Sequence, residues 1–405
     1  MRILILNPEI PFPTMGGAAL RTYHLLQGLA AEHELTLLAF SWGAVPHAAP
    51  FPLRLETVPW RQPLLYEEMQ SSEKAVAASA LASLTAADTD PWFVSYYHSP
   101  EMEGLVRQVA KEGFDLVILE QSYMGRFLSQ LPENIPTIMD FHDVHSVRAM
   151  RAVETADGEE KAKAQRELQR VLTFERNVAA RCDTCVFVSA VEAALAGDLL
   201  GCNHAEVIPN GVDCTAYTSS EDVTGKDELL FVGAMNTAPN EDAVIYFTEE
   251  ILPLILQRNP LAKFHIVGAK PTALVRALSS PHVEIHGQVA DLKPFYDRAS
   301  VTVIPIRLGS GTRLKALEAG ASAKAIVTTS LGIEGLDFLH GRDLLVADSA
   351  SEFANAVIKL CNDPDERRRL GRNARRCAES YDWKVIVQKF NALVGKALHK
   401  PRSSS

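Results

Sequence analysis

The stretch 309-GSGTRLK-315 sets small residues and two cations at the mouth of a helix. The apolar run Val301–Pro305 reads as a strand ending at Arg307, and the run from Arg313 to Gly320 reads as a helix. Gly309, Ser310, Gly311 and Thr312 fill the turn between them. A glycine-rich turn lets backbone N–H groups come close to an oxyanion, and a helix N-terminus adds about half a positive charge. Cations in a first helical turn are disfavoured unless something negative sits there. Arg313 and Lys315 therefore read as neutralisers of a diphosphate, with the guanidinium suited to bidentate contact. The alternative is a plain capped helix, in which Thr312 is the N-cap and Lys315 pairs with Glu318 at i,i+3. The stretch is not a P-loop, because no Lys-Ser/Thr pair follows its second glycine.

A similar device occurs near the start of the chain. Gly16 and Gly17 precede a helix, with Arg21 one turn in. Two such helix starts predict one diphosphate held between two domains. Neither follows a GxGxxG pattern, which removes the dinucleotide fingerprint and makes an NAD-dependent oxidoreductase the least favoured enzyme class. Asp88-Thr89-Asp90 spells DxD, but no apolar strand precedes it, so no metal site is expected there. The six cysteines include Cys182 and Cys185 as CxxC, with Cys202 and His204 further on. No second pair at zinc spacing follows, and buried, reduced thiols are expected.

Positioning these residues requires parallel strands with helical crossovers. Short continuous apolar runs recur at Ile3–Leu6, Leu35–Phe40, Leu116–Leu119, Pro136–Met139 and Cys185–Val188. They restart at Leu229–Val232, Phe264–Val267, Val283–His286, Val301–Pro305, Ala325–Thr328 and Asp343–Val346. Amphipathic runs separate most of them, among them 18–32, 101–112, 241–258 and 351–360. The pattern predicts an α/β protein with two doubly wound parallel sheets. The expected division is residues 1–218, a polar linker 219–228, a second domain 229–382, a C-terminal helix 383–398 and a disordered tail 399–405. The stretch 41–100, rich in proline and holding an Ala-rich run from Glu73 to Ala87, reads as an insertion in the first domain. The terminal helix either caps the second domain or returns to the first.

The balance of charge narrows the partners. At 405 residues with 47% hydrophobic and 22% charged content, the chain has the composition of an ordinary globular protein. A net charge of −10 excludes a broad nucleic-acid surface. No run of about 18 apolar residues predicts a spanning helix, and MRILILNPEIPFP reads as a buried strand of a cytoplasmic protein. The basic run 366-ERRRLGRNARR-376 reads as a solvated helix face, with contact to an anionic membrane as the alternative.

Taken together, 15-MGGAALRTYHLLQGLA-30, 138-IMDFHDVHS-146, 231-FVGAMNTAPNEDAV-244, 264-FHIVGAKP-271, 284-EIHGQV-289, 309-GSGTRLKALEAG-320 and 325-AIVTTSLGIEGL-336 resemble the retaining, nucleotide-sugar-dependent glycosyltransferases of family 4. That resemblance implies the GT-B fold, with two Rossmann-like domains facing across a cleft. It implies acceptor binding by the first domain and nucleotide-sugar binding by the second. Glu318 matches the second Glu of the family's E-x7-E element, which contacts the donor ribose. The first Glu of that element falls at Ser310, a departure that bears on the donor-sugar contacts. Gly233 stands where the family often has Gly-Arg, but Ala234 follows it, so Arg313 and Lys315 become the substitutes. Gly268 falls in a matched stretch and joins the donor set. Gly287, Gln288 and Val289 match the loop whose backbone reads the base. His142 matches the histidine that touches the donor sugar; its structural alternative is a contact with Asp140 or Asp143.

The activity so implied is transfer of a hexosyl group, with retention, from a UDP- or GDP-sugar to a glycan, lipid-linked or other hydroxyl acceptor in cell-surface polysaccharide or glycolipid synthesis. No cofactor and no metal are expected, and peripheral membrane contact is compatible with a lipid-linked acceptor. A nucleotide-sugar-binding scaffold without turnover and a nucleotide-sugar epimerase are the competing readings; the second would need acid/base carboxylates.

Overall fold

The computed structural model describes residues 1–14, 16–43, 45, 49–61, 90–217, 227–309 and 311–399. Ser310, the run from Glu73 to Ala87, Asp88, Thr89, most of the linker and the chain from Lys400 lie outside the described residues. The chain divides into two compact units, Met1–Pro209 with the residues from Val387 onward, and Asn210–Ile386.

The first unit is built on a parallel sheet of β1 (Arg2–Asn7), β2 (Glu34–Ser41), β3 (Arg54–Pro59), β4 (Leu116–Glu120), β5 (Thr137–Asp140), β6 (Thr184–Phe187) and β7 (Ala205–Val207). Their order is β3-β2-β1-β4-β5-β6-β7. The strands Ile3–Leu6 and Leu116–Leu119 are wholly buried, as both-face coverage of a parallel sheet requires. Residues 41–100 are not wholly an insertion. β3 lies within them and pairs with β2 from Thr36↔Arg54 to Ser41↔Pro59. Its prolines disguised it: Pro59 ends the strand, and an edge strand tolerates proline because its outer side needs no donor. β7 escaped because it is three exposed residues long.

The second unit carries β8 (Glu228–Val232), β9 (Lys263–Val267), β10 (Val283–Gly287), β11 (Val301–Ile304), β12 (Ala325–Thr328) and β13 (Leu345–Val346), ordered β10-β9-β8-β11-β12-β13. Both sheets therefore reverse direction between their first and fourth strands, the place where open α/β sheets bind ligands beyond the strand ends. The helix anticipated over 241–258 is Ala238–Tyr246, a wide turn at Phe247–Ile251, then Leu252–Leu256. The wide turn lies just ahead of Pro253, which has no N–H to donate and whose ring would crowd the preceding turn.

The C-terminal helix Trp383–His399 serves each unit with a different part. Trp383 lies against Gly211, and its N–H donates to Val212 O at 3.1 Å. From Val387 the helix packs on Gly17–Leu29; Asn391 Nδ2 reaches Gly28 O at 3.4 Å and Glu32 Oε1 at 3.3 Å. The basic run lies on the helix Pro364–Glu379 and much of it is engaged. Arg367 donates to the carbonyls of Leu360 and Cys361, Arg368 pairs with Asp365 and Arg369 with Glu366. No helix among the described residues is long and apolar enough to cross a membrane.

Candidate active site

In the second unit the carboxyl ends of β8, β9 and β10 are tied backbone to backbone. Gly233 N–H donates to Val267 O at 2.9 Å, and Gly268 N–H donates to Gly287 O at 2.8 Å. Gly268 has φ +154°, and a Cβ there would collide with the Gly233 carbonyl. A Cβ at Gly233 would lie 2.7 Å from Asn240 Nδ2 and 3.1 Å from Lys315 Nζ. The two bare backbones therefore leave room for an amide and an ammonium to sit directly beyond the strand ends.

That ammonium arrives on the helix Leu314–Ala321. Ala316, Leu317 and Ala319 bury the opposite face, which leaves Lys315 and Glu318 on the polar side. Lys315 Nζ donates to Asn240 Oδ1 at 2.5 Å and lies 4.1 Å from the centre of the Phe231 ring. Asn240 Nδ2 donates to Ala234 O at 2.9 Å, so the amide presents its oxygen to the lysine. Burial first, and the Arg313 charge second, push Lys315 down to about 7. Glu318 pulls the other way from a distance but is not its partner. Its Oε2 accepts from Tyr296 Oη at 3.3 Å, Tyr217 bonds it from a second side, and burial raises its carboxyl above the usual range.

The simple capped-helix reading does not hold. Arg313, not Thr312, occupies the cap position, with no side chain capping the first-turn amides. Thr312 Oγ1 instead accepts from Asn210 Nδ2 at 2.8 Å. Arg313 Nη2 donates back to Leu308 O at 3.3 Å, alongside Gly309. Arg307, the first cation after β11, is spent on structure: it holds Asp242 at 2.8 and 3.2 Å and lies 3.8 Å over the Tyr246 ring. Gln288 is exposed and Val289 half-buried against the core.

Gly16, Gly17 and His142 belong to the first unit. Gly16 is the cap residue of the helix Gly17–Leu29, at φ 94°, with no side-chain cap. Arg21 is not offered to a ligand as its place in that helix suggests. It is buried, holds Asp140 bidentately at 2.8 and 3.1 Å, and donates to Pro209 O at 3.0 Å. His142 follows β5 with φ 56°, an uncommon conformation for a residue with a side chain. Its Nε2 lies 2.6 Å from Glu120 Oε2 and 3.7 Å from Asp140 Oδ2. Thr22 Oγ1 donates to the same Glu120 oxygen at 3.1 Å. His142 Nδ1 is buried and has no hydrogen-bond partner among the described residues.

Asn240, Tyr217, Tyr296, Glu120 and Thr22 went unread in the sequence. Glu120 carried the clearest signal, a carboxylate closing the apolar run LVILE without a polar break. Asn240 and the tyrosines carried none, because their roles come from contacts 22 to 101 residues away along the chain. Among the described residues, three groups have the donor atoms for a metal ion: Glu120, Asp140 and His142; Cys185, Cys202 and His204; and His265, Glu284 and His286. The six cysteines are free and all but Cys377 are buried, as expected; Cys202 and His204 meet Cys185 across the fold rather than through CxxC spacing.

A model described as glycosyltransferase family 4 matches residues 15–216, and one described as glycosyl transferases group 1 matches residues 226–363. A D-inositol 3-phosphate glycosyltransferase of Arthrobacter sp. (strain FB24) is 25% identical over 227 residues, 49% of this chain and 53% of that protein. The chain spans about half the length of the curated relatives it matches. Among solved structures, sucrose-phosphate synthase from Thermosynechococcus elongatus aligns over 98% of both chains with TM-score 0.69 and 19% identity. Anabaena HepE, solved with UDP and glucose, aligns over 97% of this chain and 99% of its own with TM-score 0.68 and 16% identity. At such identities the structural likeness concerns the fold.

Proposed function

The chain belongs to the family 4 glycosyltransferases, with the two doubly wound sheets of the GT-B fold, and from that premise we propose that it is a retaining hexosyltransferase. Its donor is a nucleoside diphosphate sugar and its acceptor a hydroxyl of a glycan or lipid-linked molecule. The observation that carries the reading is Lys315. A half-buried lysine held by a neutral amide and an aromatic face, with Arg313 beside it, is a cation set aside for an incoming anion. HepE complexes with UDP and with UDP-glucose favour a uridine donor over a guanosine one.

Cleavage of the bond between the anomeric carbon and phosphate passes through an oxocarbenium-like transition state and builds charge on the departing diphosphate. Lys315, Arg313 and the uncapped amides after Gly311 and Thr312 stabilise that charge, with no metal required. The Gly16–Gly17 helix start is the corresponding anion site of the first unit. The loop Gly287–Val289 contacts the base and Glu318 a ribose hydroxyl. In the first unit His142, with its open Nδ1 and strained backbone, contacts the transferred sugar. Acceptor recognition belongs to the same unit, and the proton of the acceptor hydroxyl leaves on the departing phosphate oxygen.

A second reading has one feature in its favour. Ser310 stands where the family has its first Glu, and Ala234 where it often has Arg, so a donor-binding scaffold would share this site. A thermal-shift panel of UDP- and GDP-sugars, followed by nucleotide release from the donor that stabilises, separates the two. Turnover with an α-product from an α-donor is expected. Stabilisation without release leaves the scaffold, and no stabilisation by any donor defeats both readings.

A further inference from the structure

On one face of the sheet in the second unit, β8, β9 and β10 bring together Glu228, His265, Glu284 and His286. We propose that His265 Nδ1, His286 Nε2 and Glu284 Oε2 form a binding site for one divalent metal ion of the zinc class. The three atoms make a closed triangle. His265 Nδ1 lies 3.0 Å from His286 Nε2 and 3.6 Å from Glu284 Oε2, and the last two lie 3.8 Å apart. A tetrahedral ion with bonds of about 2.0–2.1 Å separates its ligands by roughly 3.3 Å. The observed separations bracket that value, so the ligands need shifts of only a few tenths of an ångström.

The outer contacts are those of a metal site as well. Glu228 hydrogen-bonds His265 Nε2, which leaves Nδ1 with its lone pair toward the triangle. A carboxylate behind a ligating imidazole fixes the tautomer and raises ligand basicity. The Glu228 oxygen is itself anchored by Arg298 at 3.3 Å. Glu284 is held the same way: Lys263 Nζ takes Oε1 at 3.3 Å and leaves Oε2 to the histidines. The two cations therefore sit behind the carboxylates rather than in the triangle. The His265 side chain is 5% exposed, while His286 is 24% and Glu284 41% exposed. An ion reaches the site from that open side and keeps a fourth position for water, the composition of two His and one Glu that zinc accepts. Without an ion, two imidazole nitrogens 3.0 Å apart share a single proton.

The other two clusters are less apt. Both Asp140 oxygens are engaged by Arg21, and His204 Nε2 is engaged with Ala179 O at 3.2 Å. An ion at the proposed site would tie the edge strand β10 to β9 directly before Gly287. The assignment does not depend on which sugar nucleotide, if any, the chain uses.

The test uses the full-length protein, stripped by chelator and dialysed, then titrated with Zn²⁺ by calorimetry and with Co²⁺ by visible absorption. One equivalent should bind, with four- or five-coordinate cobalt bands and no thiolate charge-transfer band. His286→Ala and Glu284→Gln, both near the surface, should each weaken binding about 100-fold, and Glu228→Ala about 10–100-fold as an outer-shell partner. Cys202→Ser should leave the affinity unchanged. Affinity should fall as acid protonates the imidazoles. Absence of stoichiometric binding, a thiolate band, or undiminished affinity in folded His286→Ala protein overturns the proposal; circular dichroism of each variant establishes that it is folded.

Discussion

Where strand order reverses, each sheet places charge beyond its strand ends, between β1 and β4 in the first unit and between β8 and β11 in the second. In the first, Arg21 faces Asp140 in a bidentate pair, and His142 and Thr22 share a Glu120 oxygen. The one arginine there is matched by a buried carboxylate within the same unit. In the second, Lys315 has an amide and an aromatic ring, and its ammonium is disfavoured by its surroundings. At the same topological place, the first unit matches its arginine with a carboxylate, while the second holds its lysine with neutral groups alone. A buried ion pair holds structure, because removing one member strands the other. A partly desolvated cation without an ion pair costs stability, and a negative ligand would relieve that cost.

Breaking the Arg21–Asp140 pair should have the largest effect. Asp140→Ala, which strands the Arg21 guanidinium, should cost about 3–5 kcal/mol of stability by chemical denaturation. Lys315→Met should cost none, so equal losses would erase the contrast. Next in size, Arg313→Ala should lower turnover roughly a hundredfold, on the order of 3 kcal/mol, without lowering the melting temperature. Unchanged turnover would remove Arg313 from the chemistry.

The pH dependence sharpens the comparison further. Lys315 sits at about 7 when folded against an ordinary value of 10.5. Between these values the unfolded chain holds the proton and the folded chain does not, so stability from this group rises with pH and its penalty is full below pH 7. Donor binding has the opposite sign, since a diphosphate wants the ammonium. Affinity should fall as pH climbs above 7, by up to about tenfold per unit, with proton uptake seen by calorimetry in two buffers. In Lys315→Met both the slope and the uptake should vanish.

A smaller effect is expected at Glu318. Glu318→Gln should weaken donor binding about tenfold, roughly one charged hydrogen bond, measured by titration with the donor identified in the thermal-shift panel. Least of all, adding Mg²⁺ or Mn²⁺ to dialysed protein should leave kcat unchanged; strict dependence on either would contradict charge neutralisation by Arg313 and Lys315.

Much of the architecture was legible beforehand because a parallel sheet buried on both faces writes itself as short unbroken apolar runs. The strands from Ile3 to Val188 and from Leu229 to Val346 were recovered in this way, apart from β3 and β7. β3 is an edge strand with few apolar residues, and β7 has too few residues to show a pattern. Of the residues singled out in the second unit, Gly233, Gly268 and Lys315 do come together in the fold. The fate of each cation was not. Arg307, Arg313 and Lys315 are close in sequence, yet one is paired with Asp242, one turns back to Leu308 and one lies under Asn240.

The sequence by itself determined two rounds of strand and helix, and glycine turns where a backbone can approach an anion, since both follow from local periodicity and side-chain size. Only the tertiary structure decided which charges are neutralised. Arg21 meets Asp140 across 119 residues and Lys315 meets Asn240 across 75. Electrostatic partnership depends on distance in space and on exclusion of water, and neither is a property of neighbours along the chain.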